Sequence, residues 1–135
     1  MRTYIFGCVH NAGRSQISAA FFNQLADPRK AHAISAGTNP ADHVHPVVVD
    51  VMREVGIELS GVQPQKLTTE LAQKAEMLIT MGCGEACPYV PGLRREDWPL
   101  TDPKGRPLPE VREIRDQIRD RISAFIQQER LSSQG

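Results

Sequence analysis

The chain has 135 residues, with sixteen Lys and Arg balanced by sixteen Asp and Glu, so no net field draws it to nucleic acid or to an anionic membrane. Its length suits one compact domain, read as residues 1–130 followed by a polar tail at 131–135, and no apolar run approaches the ~20 residues that a bilayer span needs. Three cysteines are an odd set, and with a start that enters a strand pattern at once they predict reactive thiols in a reducing, cytoplasmic setting rather than a disulfide framework.

Taken in order, Tyr4-Ile5-Phe6 reads as a strand, and Ile17, Ala20, Phe21 and Leu25 mark one face of a helix that stops at Asp27-Pro28. Residues 31–36 read as a second strand ended by Gly37. After the turn cluster Asn39-Pro40-Ala41-Asp42, a helix begins at His45-Pro46 and runs through Val48, Val51, Met52 and Val55 to a stop at Gly56. Residues 57–66 form a connection and 68–74 a short helix, and Met77-Leu78-Ile79-Thr80-Met81 is a buried strand. The stretch 82–95 is rich in Gly and Pro, holds Cys83 and Cys87, and reads as a surface loop. Glu96-Asp97-Trp98 reads as an edge strand. The last helix, 110–127, turns Val111, Ile114, Ile118, Ile122 and Phe125 inward and Arg112, Asp116, Arg119 and Asp120 to water. Helices alternating with short apolar strands predict an α/β protein, a three-layer αβα fold with a four-stranded parallel sheet.

One stretch carries chemistry: Cys8-Val9-His10-Asn11-Ala12-Gly13-Arg14-Ser15, between the first strand and the first helix. A tight loop there, with Gly13 as its permissive point, lets backbone N–H groups converge at a helix N-terminus on one tetrahedral oxyanion. Arg14 closes the ring with a two-pronged guanidinium. The same donors stabilise a thiolate, which makes Cys8 the candidate nucleophile, and Ser15 can add a hydroxyl hydrogen bond to its sulfur. His10 contributes its backbone N–H, and its ring could tune Cys8. A buried structural cysteine is the bland alternative, and the position between strand and helix argues against it. Cys83, Cys87, His43 and His45 have zinc-like residue types, but nothing in the sequence makes them converge, so no metal is predicted. Asp102-Pro103 by itself is an ordinary turn starter.

Cys8-x5-Arg14-Ser15, Ser35-Ala36-Gly37, the His45-Pro46 helix ending at Gly56, and Asp102-Pro103 together resemble the low-molecular-weight tyrosine phosphatase fold, and within it the arsenate reductases. Two features favour the reductase branch: the thiol pair Cys83 and Cys87 just after the third strand, and Lys104-Gly105 after Asp102-Pro103, where phosphatases carry aromatic residues. The resemblance implies that Cys8 attacks arsenate and that Asp102 protonates the leaving oxygen. It further implies that Cys83 and then Cys87 carry the disulfide outward to thioredoxin as external reductant, through a loop that rearranges between redox states. Phosphate and sulfate are then competing oxyanions and no cofactor is bound; the neutral charge balance and single core make a monomer the expectation. The resemblance also implies that Asn11 holds the loop shape through its side-chain amide. Some relatives hold potassium near this asparagine with acidic residues, but Ala19 and Lys66 stand in those places. Two alternatives stay open: arsenate transfer to mycothiol or glutathione, in which the loop cysteines are dispensable, and a phosphatase for phosphotyrosine or a small phosphoester.

Overall fold

The computed structural model describes residues 1–82 and 90–132. In chain order the elements are β1 (Arg2–Cys8), α1 (Arg14–Leu25), β2 (Ala31–Gly37), α2 (Pro46–Arg53), α3 (Thr69–Gln73), β3 (Met77–Thr80), β4 (Arg94–Asp97) and α4 (Leu108–Gln128). The strands form one parallel sheet in the order β2-β1-β3-β4. β1 and β3 are central and apolar on both faces, as buried parallel strands require. The chain leaves β1 toward β2, then crosses back to β3 and β4. The winding therefore reverses between β1 and β3, which opens a crevice at their carboxyl ends. Cys8 ends β1 opposite Gly37, and Gly7 pairs with Thr80, so the loop after Cys8 and the chain after Thr80 share that edge.

The two faces of the sheet are unequally covered. Tyr4 and Phe6 project toward α1 and α4, where their rings meet Phe22, Phe125 and Trp98 at centroid distances of 5.3 to 6.5 Å. Ile5 and Leu78 project the other way, under Leu67 and the Leu71 side of α3. α2 packs against α4 through Arg115, whose Nη1 donates to the Val51 carbonyl (2.9 Å) and meets Glu54 Oε1 (2.8 Å). Thr68 caps α3, its hydroxyl accepting from the Leu71 N–H. Gly56, with φ of 85°, turns the chain after α2 so that the Ile57 N–H reaches the Met52 carbonyl.

Two expectations change, and one residue takes an unforeseen place. β4 begins at Arg94, not at Glu96, and Trp98 lies beyond it, buried, with its N–H donating to the Thr80 carbonyl. Arg115 lies on the buried side of α4, where it donates to the Val51 carbonyl of α2 and shares the Glu54 carboxylate with Arg112. The polar tail expected from 131 begins instead with an anchor at residues 131 and 132. Leu131 is fully buried, its carbonyl accepts from the Asp27 N–H (2.8 Å), and Lys30 Nζ donates to the Ser132 carbonyl (2.7 Å). A lone leucine among polar residues has no periodicity to announce this. Among the described residues, no helix is long and apolar enough to cross a membrane.

Candidate active site

The loop after Cys8 is held from outside by its carbonyl groups. The carbonyls of Cys8, Val9, His10 and Ala12 accept from the N–H groups of Thr38, Asn39, Ala41 and His45, at 2.8 to 3.2 Å. The Asn11 carbonyl accepts from Gln16 Nε2 (2.9 Å), and that of Gly13 from the Ile17 N–H of α1. No peptide bond in the described chain is cis. In a trans peptide the N–H points opposite to the C=O, so anchoring this run of carbonyls outward turns the N–H groups of residues 9–14 inward. The result is a concave set of donors at the start of α1, a ready site for an oxyanion.

Side chains lock this shape. Asn11 takes the left-handed conformation, φ 53°, while Gly13, the permissive point of the loop, sits at φ −137° and ψ −97°. Asn11 Nδ2 donates to Ser15 Oγ (2.8 Å), and its Oδ1 accepts from the Gln65 N–H (3.0 Å). Gln65 in turn donates through Nε2 to the Ser35 carbonyl. Cys8 Sγ lies 2.8 Å from Ser15 Oγ. That oxygen accepts from Asn11 Nδ2, and its own proton is free to point at the sulfur. Glycine is required where backbones meet at Gly37, whose Cβ would fall 2.5 Å from the Val9 carbonyl oxygen; one on Gly13 would press on the Pro103 ring at 3.2 Å from Cγ.

Arg14 faces the opposite wall. Its Nη1 donates to the Leu100 carbonyl (3.0 Å) and its Nη2 lies 3.5 Å from Asp102 Oδ2. The arginine side chain is 15 % exposed and the aspartate 47 %. Asp102 also starts a local turn, Oδ1 accepting from the Lys104 N–H and the main-chain carbonyl from Arg106 Nε. Gly82 closes the site from the β3 side: at φ 88° it lies so near Arg14 that a Cβ would stand 2.9 Å from Nη1. His45 packs beside Gly13, and burial lowers its pKa, partly opposed by the Asp102 carboxylate.

The structure joins Cys8, Ser15 and Asn11 in one hydrogen-bonded set and pairs Arg14 with Asp102. Cys83 and Cys87 lie outside the described residues. The His10 ring turns outward, Nδ1 3.2 Å from the Asn39 carbonyl, so its link to the loop is through the backbone. Ala19 is buried on α1 and Lys66 is exposed, so neither supplies a carboxylate near Asn11. Among the described residues, no three His, Cys, Asp or Glu side chains group as a metal site would require. Gln16, Gln65 and the Leu100 carbonyl escaped sequence reading. A polar residue on the inward face of α1's first turn was the one available signal for Gln16.

Residues 3–134 match the low molecular weight phosphotyrosine protein phosphatase family. The chain belongs to that family. Within it, a Halobacterium salinarum relative, provisionally named for arsenate reduction, is 40% identical over 121 residues, covering 87% of this chain and 85% of that protein. A glutaredoxin arsenate reductase of Synechocystis is 33% identical over 129 residues, covering 93% of this chain and 97% of that one. The solved structure of a thioredoxin-dependent arsenate reductase from Corynebacterium glutamicum superposes with a TM-score of 0.83 at 36% identity. That superposition takes in 97% of this phosphatase-family chain but 63% of the other, so the chain spans less than two thirds of that protein's length.

Proposed function

We propose that this chain is an arsenate reductase that works by a Cys8 to Cys83 to Cys87 thiol relay. The observation that carries the reading is the outward-anchored loop of residues 8–13, which aims its amides at the space beside Cys8 Sγ. Arsenate is held by those amides and Arg14, which leaves its Leu100 and Asp102 partners to fork onto two arsenate oxygens. Cys8 thiolate attacks arsenic, and Asp102 serves as general acid, the departing oxygen taking the proton and leaving as water. Cys83 then attacks Cys8 sulfur. The As–S bond breaks, its electron pair stays on arsenic, and arsenite departs from a Cys8–Cys83 disulfide. Cys87 attacks Cys83, freeing Cys8 and leaving Cys83–Cys87 for an external dithiol. Gly82 supports the second step, because the residue directly before Cys83 abuts the Arg14 guanidinium.

Thioredoxin is the reductant this reading favours, in keeping with the Corynebacterium neighbour, and such a cycle belongs in the reducing cytoplasm. The Synechocystis relative keeps a glutathione and glutaredoxin route as the second reading. Phosphotyrosine fits less well. Every Phe, Tyr and Trp among the described residues is buried in the core, so none of them walls a pocket for a phenyl ring.

The test is arsenate-dependent NADPH consumption, with thioredoxin and its reductase or with glutathione and glutaredoxin. The relay predicts turnover with thioredoxin that stops in Cys8→Ser, Cys83→Ser and Cys87→Ser alike. Turnover with glutathione that survives both loop substitutions would replace the relay with the small-thiol route.

A further inference from the structure

His45 stands where the fixed loop meets the Asp102 turn, and the relay gives its imidazole no task. Its N–H donates to the Ala12 carbonyl (3.0 Å), which sets the Ala12–Gly13 peptide, and its carbonyl accepts from the Val48 and Val49 N–H groups at the start of α2. Its ring is half-buried against the loop, Cδ2 3.7 Å from where a Gly13 Cβ would stand, with Pro103 on the same side of that glycine. The charged and titratable groups facing it are Asp102 and Lys104 from the turn, His10 from the loop and His43 from its own segment. Only Asp102 among them favours the imidazolium. Burial, Lys104 and the other two histidines oppose it.

We propose that His45 is a positioning residue for the bound oxyanion: its amide orients the last turn of the loop, and its imidazole takes up a proton when a dianion enters, adding a positive charge at the rim. The inference rests on the reading of residues 8–15 as an oxyanion site. An incoming dianion adds to the Asp102 attraction and works against burial and Lys104, so anion binding and protonation of His45 become linked. By reciprocity the anion binds more tightly as pH falls. His45 thereby differs from Arg14, whose charge does not change, and helps decide between doubly and singly charged anions of the same size.

Sulfate is the probe, since it stays doubly charged throughout the range used, and Cys8→Ser serves as the common background so that no thiolate titrates. Sulfate affinity is measured by calorimetry at pH 5.5 and pH 8 in that background, alone and with His45→Gln, His43→Gln or His10→Gln; Trp98 fluorescence reports folding. We expect affinity in the background protein to rise about fivefold or more between pH 8 and pH 5.5, well within the tenfold per pH unit that one linked proton allows. Adding His45→Gln should remove most of that rise while leaving affinity at pH 8 unchanged, because its backbone N–H is kept. His43→Gln and His10→Gln should keep the rise. An undiminished rise in His45→Gln overturns the proposal, as does an equal loss of affinity at both pH values, which is a structural effect alone. Absence of sulfate binding in every protein at either pH overturns the oxyanion reading itself, and this inference with it.

Discussion

The two walls of the site are built differently. The Cys8 wall is fixed: each carbonyl from Cys8 to Gly13 has a partner outside the loop, and Asn11 is held through both ends of its amide. The Asp102 wall is a half-exposed turn that leans on its own backbone and on Arg14. Recognition of a charged oxyanion rewards donors already aimed, since nothing then has to be reordered on binding. Proton delivery and product release reward a wall that can shift. Arg14 joins the two, bound to Leu100 and Asp102 on one side and rooted in α1 on the other.

Substitutions should separate the walls by what they affect. Asp102→Asn removes the proton donor but none of the anion donors, so kcat for arsenate should fall by ~10²–10⁴. Sulfate should bind as well as in wild type or better, because Arg14 loses a competing carboxylate; weaker sulfate binding would mean that Asp102 belongs to the binding wall. Arg14→Lys keeps the charge but loses the fork, and should lower kcat/KM by ~10²–10³ together with sulfate affinity. Asn11→Ala loses the amide bonds and leaves alanine at positive φ, for a stability loss of about 1–3 kcal/mol and a fall of about tenfold in kcat/KM. Asn11→Gly should recover stability more than activity, since it relieves the backbone without restoring the bond to Ser15. Equal recovery of both would show that backbone strain alone was at stake.

Glu129 offers a control outside both walls. It accepts from Tyr4 OH (2.9 Å) and pairs with both Arg94 terminal nitrogens, and the Arg94 hydrogen bonds hold its carboxyl below the usual Glu range. A depressed carboxyl pKa means that this stability is present above the ordinary Glu value and is lost as pH falls through the lowered one. Glu129→Gln should therefore cost about 1–3 kcal/mol near neutral pH, lose its effect in acid, and leave kcat unchanged. Thermal unfolding from pH 7 to pH 3 reads this out, and a constant gap between the two proteins would contradict it.

The sequence carried the fixed wall further than the other. Cys8-x5-Arg14-Ser15 between an apolar strand and an amphipathic helix is a local pattern, and α1, β2, α2 and α3 each announce themselves by periodicity or a cap. The partners that make the loop rigid were not legible. Gln65 reaches Asn11 from 54 residues away, and the Leu100 carbonyl reaches Arg14 from 86, through tertiary packing that leaves no trace in spacing. Gly13 was read as the permissive point, and it does take an unusual backbone conformation, φ −137° and ψ −97°, but the left-handed turn at Asn11, compensated by side-chain bonds that glycine cannot make, was not foreseen. Asp102 was legible only through resemblance, because Asp-Pro is commonplace in turns. Leu131 was misread, and the burial of Arg115 was not anticipated, for a related reason: one apolar residue in a polar run, or one arginine on a charged helix, discloses nothing of the surface it meets.

The most direct test of the central claim is a single turnover without reductant. Fully reduced protein is mixed with excess arsenate, arsenite is counted, and the disulfide is mapped by mass spectrometry of quenched, alkylated peptides. The relay predicts one arsenite per chain, a Cys83–Cys87 disulfide and a free Cys8 thiol, with Cys8–Cys83 accumulating in Cys87→Ser. No arsenite, or arsenite with all three thiols still reduced, would contradict it.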